Sequence, residues 1–135
     1  SIGISGGQST DTSEWLQDFD EAKQLAIEND MPLFVDFTGY TCTNCRAMES
    51  TVFPQQNIVE RFNQMQKVKL YTDGGADAEE NQTRQFNLTG TLALPTYVIM
   101  DPESEQILDQ LIGFTRAENF QQFLDNGISR YRSRR

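Results

Sequence analysis

The chain contains no histidine, and only two of its 135 residues are cysteine. A four-ligand zinc site needs two more cysteine or histidine ligands than Cys42 and Cys45 supply, so no metal is expected. Without imidazole, any proton moved near neutral pH must travel on another group. Basic residues are also few: 11 lysines and arginines stand against 20 aspartates and glutamates, a formal net charge of -9. That balance argues against a nucleic-acid partner, and the one basic cluster, Arg130, Arg132, Arg134 and Arg135, reads as a solvated tail over 130–135. No apolar run approaches the length of a membrane span, and no charged-then-apolar leader opens the chain. Internal repeats and low-complexity tracts are missing too. Residues 1–12, which begin with Ser and carry Gly3, Ser5, Gly6, Gly7 and Ser9, read as a linker or a short N-terminal strand near 2–4, as in a piece excised from something longer. The remainder is long enough for one domain whose core needs no disulfide.

What is present centres on residues 32–49, Pro-Leu-Phe-Val-Asp-Phe-Thr-Gly-Tyr-Thr-Cys-Thr-Asn-Cys-Arg-Ala-Met-Glu, which hold both cysteines. An apolar run from Leu33 to Thr38 gives way to a loop with Gly39 and then to helical spacing, so a strand feeds a helix and the Cys-x-x-Cys falls at the junction. The first turn of a helix leaves N–H groups unpaired, and its dipole favours a negative sulfur. A thiolate there is an attacking group. Two cysteines three apart can also close a disulfide, but a loop this short constrains the unfolded chain little, which makes it a poor staple and points to redox work.

Around this centre the periodicity predicts a helix over about 14–29 with Trp15, Phe19, Ala22 and Ala26 on its apolar face. In the strand that follows, Leu33, Val35 and Phe37 point one way and Phe34, Asp36 and Thr38 the other. Both faces are largely apolar, so Asp36 is a carboxylate in a buried run. The helix after the cysteines breaks at Pro54 and resumes to Phe62. Val68, Leu70 and Tyr71 mark a second strand, and Asp77 with Glu80 resembles a capping box for a helix to about Phe86. Residues 96–100 and 107–112 read as a hairpin around the turn at 101–104. Thr115 with Glu118 reads as a capping box for a last helix bearing Ala117, Phe120, Leu124 and Ile128, with Gly127 near its stop. Alternating strands and helices followed by a hairpin imply an α/β domain, a small mixed sheet with helices on both faces.

On three spaced motifs, residues 33–49, then Leu94-Pro95-Thr96-Tyr97-Val98, then Ile112-Gly113-Phe114, the chain resembles the thioredoxin-fold family. Within that family it is most similar to the C-terminal extracytoplasmic domain of DsbD-type transmembrane thiol:disulfide interchange proteins. The resemblance implies a thioredoxin-like domain over 13–129 with a central mixed sheet of four or five strands flanked by helices. It also implies that Cys42 is the attacking cysteine, Cys45 its resolving partner, and Pro95 a cis-proline lying against the disulfide. Asp36 and Glu49 correspond to an acidic pair beside the sulfurs; Glu49 stands four residues after Cys45 and seven after Cys42, on the same helix face. Tyr40, Thr41, Leu94, Pro95 and Gly113 would form the partner-docking surface. One departure is clear: the family's usual Trp before the first cysteine is here Thr41, with Tyr40 one place earlier.

The activity so implied is protein-disulfide reduction by dithiol–disulfide exchange, with no cofactor. Its partners would be disulfides or dithiols of redox partner domains and a membrane-embedded electron donor, and the domain would be periplasmic and tethered to the inner membrane in a longer protein. A free-standing periplasmic thiol oxidase or isomerase is the alternative, followed by a non-redox binding module on the same fold. Thr43 and Asn44 carry no positive charge, whereas nearby carboxylates disfavour a thiolate and so make the pair more reducing, which ranks the reductase first.

Overall fold

Strand β1, Leu33–Thr38, is buried along its whole length and sits inside the sheet. The computed structural model describes residues 15–134, so the expected strand near 2–4 lies outside the described residues. Elements follow in the order α1 (Phe19–Asn29), β1, α2 (Thr43–Thr51), α3 (Gln56–Phe62), β2 (Gln66–Tyr71), α4 (Ala78–Thr89), β3 (Thr96–Met100), β4 (Ile107–Ile112) and α5 (Ala117–Arg132). The sheet has four strands in the order β2-β1-β3-β4. β2 runs parallel to β1, with Asp36 opposite Lys69 and Thr38 opposite Tyr71. β3 and β4 are antiparallel to their neighbours.

The alternation of side chains along β1 divides the core in two. Leu33, Val35 and Phe37 pack with Phe19, Ala22 and Ala26 of α1 and with Val68, Leu70, Val98 and Met100. Phe34, on the other face, packs with Met48 and Val52 from the α2 region, Ile58 and Phe62 of α3, and Phe120, Phe123, Leu124 and Ile128 of α5. Its ring makes edge contacts with Phe62 at 5.2 Å and Phe120 at 6.2 Å. Burying an aromatic ring of this kind stabilises the fold by roughly 1.5–3 kcal/mol. Asp36 and Thr38 lie on this same face, beneath α2.

Several sequence expectations are corrected. α1 starts at Phe19 because Asp18 caps it, its carboxylate accepting from Glu21 N at 3.2 Å. Leu16 is instead extended and pairs with the outer edge of β2: Leu16 N donates to Lys67 O at 3.3 Å, and Lys69 N to Leu16 O at 2.8 Å. Trp15 is thus a core-edge residue carried by a strand-like segment, stacked on Phe53 at 5.7 Å. Neither expected capping box forms. Asp77 caps α4 without a side-chain bond, and Arg116, not Thr115, occupies the cap of α5. α4 runs on to Thr89 and ends at Gly90 with φ 75, the left-handed conformation that glycine adopts at no steric cost. The break at Pro54 is present, with α3 resuming at Gln56.

α5 also overruns its expected stop, because Ile128 and Tyr131 extend its buried stripe past Gly127. Three of the arginines of the expected tail are therefore docked. Arg130 Nη1 donates to Leu108 O at 2.8 Å, Arg132 Nη2 to Gln64 Oε1 at 2.7 Å, and Arg134 Nε pairs with Asp101 at 3.0 Å. Gly127 is where α5 crosses Ile99 of β3, and a Cβ there would fall 2.8 Å from Ile99 Cγ2. Gly127→Ala should therefore destabilise the fold by about 1–3 kcal/mol despite alanine's better helix propensity. Ile99→Val in the same chain should recover part of the loss; equilibrium denaturant unfolding of the single and double variants checks both.

Candidate active site

The parallel pairing of β1 with β2 brings the carboxyl ends of two strands side by side, and the loops leaving them build the site. Thr72 N donates to Thr38 O at 3.0 Å, so the chain after β1 and the chain after β2 leave the sheet together. After β1, residues 39–41 turn into α2, whose N-cap is Cys42, with β-region backbone at φ -85 and ψ 110. Cys42 Sγ takes the place of a capping oxygen and accepts from Cys45 N at 3.1 Å. Cys42 and Cys45 are joined in a disulfide with their Cα atoms 5.2 Å apart. Cys42 is partly exposed, whereas Cys45 is buried beneath it at 2% exposure. A partner can reach one sulfur and not the other.

The loop before Cys42 is held by Asp73, a residue that the sequence analysis passes over. Its carboxylate accepts from Tyr40 N at 2.8 Å, Thr41 N at 3.1 Å and Thr41 Oγ1 at 3.0 Å, and these bonds hold the Asp73 carboxyl below the usual carboxylate range. The available signal was its place directly after a strand parallel to β1, where loops at the carboxyl ends of parallel strands converge. Thr41, in the position of the family's usual Trp, contributes a hydroxyl to this clasp. Gly39 is confined by the same approach: a Cβ there would sit 2.8 Å from Asp73 Oδ2 and 3.0 Å from Leu94 Cδ1. Leu94 precedes a cis peptide bond to Pro95, the isomer that the resemblance implies. Gly113, at φ 91, donates its N–H to Pro95 O at 2.8 Å.

The loop contacts thus gather Tyr40, Thr41, Leu94, Pro95 and Gly113 at one end of the strands, after β1, before β3 and after β4. Their surroundings differ. Tyr40 is 52% exposed and stacks on Tyr71 at 3.9 Å; Thr41 is exposed, Leu94 and Gly113 are half-buried, and Pro95 is buried.

Beneath the loop lies a set of charges. Asp36 is 2% exposed, opposite Lys69 on β2 and Tyr97 on β3. Burial pushes its carboxyl up to about 7; Lys69 and Arg46 pull it down, and Glu49 pushes it further up. Asp36 Oδ1 is buried and meets no hydrogen-bond donor among the described residues. Glu49 Oε2 lies 3.0 Å from Arg46 Nη2 and 3.6 Å from Lys69 Nζ. Arg46 Nη2 also donates to Thr38 Oγ1 at 3.2 Å, tying α2 to the end of β1. The two acids expected from the sequence are therefore accompanied by two cations that it did not single out. Lys69 is one strand away from Asp36, and only the β1–β2 register brings them face to face. Tyr97 is pushed far above the usual phenol range, chiefly by burial, and stays protonated.

The family described as a thioredoxin-like domain matches residues 19–128. The chain belongs to the thioredoxin-like domain family. A thioredoxin from Thermus thermophilus superposes with a TM-score of 0.73 at 18% identity, covering 89% of this chain and 91% of that one. The oxidised C-terminal domain of DsbD from Neisseria meningitidis gives a TM-score of 0.69 at 17% identity, covering 84% of this chain and 99% of that domain. In sequence, the thiol:disulfide interchange protein DsbD of Campylobacter jejuni (strain RM1221) is 21% identical over 116 residues, which are 86% of this chain and 20% of the relative. This thioredoxin-like domain thus spans about a fifth of the length of that curated relative.

In the oxidised domain the cysteines do not titrate, which isolates Asp36. Its carboxyl is raised in the folded state from 3.8 to about 7, so its stabilising share is complete below the unfolded value and is lost as pH rises through the folded one. Asp36→Asn should gain on the wild type between about pH 4 and about pH 8, by on the order of 4 kcal/mol at the upper end. Denaturant titrations of both oxidised proteins across this window check it, and a pH-independent difference would show that the carboxyl is solvated.

Proposed function

We propose that this domain is a protein-disulfide reductase that passes two electrons by thiol–disulfide exchange. The observation that carries the reading is the Cys42–Cys45 disulfide at the start of α2, with one sulfur accessible and the other buried. In the reduced domain, Cys42 thiolate attacks a partner disulfide. The Cys42–partner S–S bond forms as the partner's own S–S bond breaks, and the released partner sulfur takes up a proton. Cys45 then loses its proton and attacks Cys42 Sγ; the mixed disulfide breaks, and the second partner sulfur leaves and is protonated. The partner gains two electrons and two protons, and the Cys42–Cys45 disulfide is restored. Asp36 and Glu49 are the proton carriers in this reading. Asp36 suits the role because its carboxyl is poised near neutrality in a chain without histidine.

Direction follows from charge. The helix start favours the Cys42 thiolate, while Asp36 and Glu49 oppose it, and a less stable thiolate makes a more reducing pair. Tyr40, Thr41, Leu94, Pro95 and Gly113 would receive the partner, whose extended segment pairs with backbone beside the cis-proline. From the likeness to DsbD we infer an extracytoplasmic domain, tethered in a longer protein and supplied with electrons by a membrane-embedded donor. Among the described residues no helix is long and apolar enough to cross a membrane.

Cys42→Ala should abolish reduction of a protein disulfide, and Cys45→Ser should accumulate a mixed disulfide on Cys42, read by non-reducing electrophoresis and mass spectrometry. Trapping on Cys45 in Cys42→Ser instead would reverse the two roles. When an oxidised partner peptide is added, the amide shifts of Tyr40, Thr41, Leu94 and Gly113 should move together; movement confined to the end of α5 would sink the docking surface.

A further inference from the structure

The only tryptophan of the chain lies beside the charges under the active site, and its aromatic face is turned to a cation. Trp15 stacks on Phe53 and meets Phe34 and Phe62 edge-on at 5.8 and 5.5 Å, so its ring is braced by the core. Lys69 Nζ lies 4.7 Å from the centre of this ring, within the range at which a ring face attracts an ammonium. The same nitrogen is 3.6 Å from Glu49 Oε2, and the Lys69 side chain is only 16% exposed. Lys69 is therefore held between an indole and a carboxylate, next to the buried Asp36 on the neighbouring strand. The backbone bonds of Leu16 to Lys67 and Lys69 fix the segment that carries the indole to this stretch of β2.

We propose that Trp15 is a positioning residue of the redox site, holding the Lys69 ammonium where it sets the ionisation of Asp36. The charges that act on Asp36 are Lys69 from β2 and Glu49 and Arg46 from α2, and Asp36 in turn raises the neighbouring Tyr71 of β2 and Tyr97 of β3. Of these, the two that favour its ionised form are Lys69 and Arg46, and Lys69 has the larger effect. Arg46 is anchored to Thr38 and Glu49. Lys69, on a long flexible side chain, relies on Glu49 and the indole face. Without the indole its head relaxes toward water, the attraction on Asp36 weakens, and Asp36 holds its proton to higher pH. A half-exposed edge tryptophan thereby reaches the site through one lysine.

The consequence for exchange rests on the reading of Asp36 as a proton carrier, so two quantities are measured in the full chain. One is the Asp36 titration, followed by carboxyl carbon NMR in the oxidised protein and assigned with Asp36→Asn. The other is the pH profile of Cys42 alkylation in the reduced protein. Trp15→Leu, which keeps apolar bulk but removes the ring face, should raise the Asp36 midpoint by about half a pH unit. Trp15→Phe should restore most of the wild-type value, and Lys69→Met should raise the midpoint further.

Lys67 also lies over the indole, at 4.7 Å, so Trp15→Leu will cost stability whatever the fate of Lys69. The Lys69→Met background separates these effects: there, Trp15→Leu should add no further shift. An unchanged Asp36 midpoint in folded Trp15→Leu, or an equal shift in the Lys69→Met background, would overturn the proposal. If the Asp36 midpoint moves as stated while the Cys42 profile stays fixed, Trp15 is upheld as the holder of Lys69, and the proton-carrier role of Asp36 is what fails.

Discussion

Burial of β1 on both faces is the constraint from which the rest of the structure follows. A strand covered on each side by helices needs apolar residues at every position, and five of its six side chains are apolar or a threonine whose hydroxyl is met by Arg46. The sixth is Asp36. Because the strand cannot move without breaking two apolar clusters, the carboxyl is kept in a medium that penalises its charge, just before the chain turns toward Cys42. Above neutral pH the cost of that placement is several times that of losing a single helix cap or hydrogen bond. It is offset by the cluster around Phe34 and by the Lys69 and Arg46 charges, whereas Glu49 adds to it.

Two opposed electrostatic influences meet at the cysteines. The N-terminus of α2 presents unpaired N–H groups and a positive dipole end to Cys42, which lowers the cost of a thiolate. In the proposed reductase the acids behind it raise that cost, and Lys69 and Arg46 temper Asp36. On that reading the poise of the pair is a difference between several terms, of which the β1–β2 register supplies Lys69.

The loops around the site are organised by close approach more than by rigid secondary structure. Asp73 clasps the backbone before Cys42, Gly39 leaves room for that carboxylate and for Leu94, and Gly113 reaches Pro95 from β4. Three segments far apart in sequence are thus linked by a few short contacts. The clasp uses the backbone of Tyr40 and both the backbone and the hydroxyl of Thr41, the position at which the resemblance implies a Trp.

Strand β1, the junction at Cys42, the break at Pro54 and the β3–β4 hairpin were legible in the sequence because each rests on local pattern: apolar alternation, cysteine spacing, a missing N–H, turn residues. The capping boxes at Asp77 and Thr115 were read from equally local pattern and did not form, since Arg116 and the packing of α5 decided where that helix begins and Ile128 and Tyr131 decided how far it runs. Trp15 was recognised as core-edge but assigned to a helix, because the open edge of β2 that captures Leu16 is a property of the assembled sheet. The sequence by itself determined where the cysteine pair and the buried acid stand, Cys42 and Cys45 at a helix start and Asp36 in an apolar strand, since both placements are set by neighbours in the chain. Only the tertiary structure decided what surrounds them. Lys69, Asp73 and the indole of Trp15 reach the site across strand pairings, and a pairing register follows from how whole faces bury against one another, which short-range spacing does not encode.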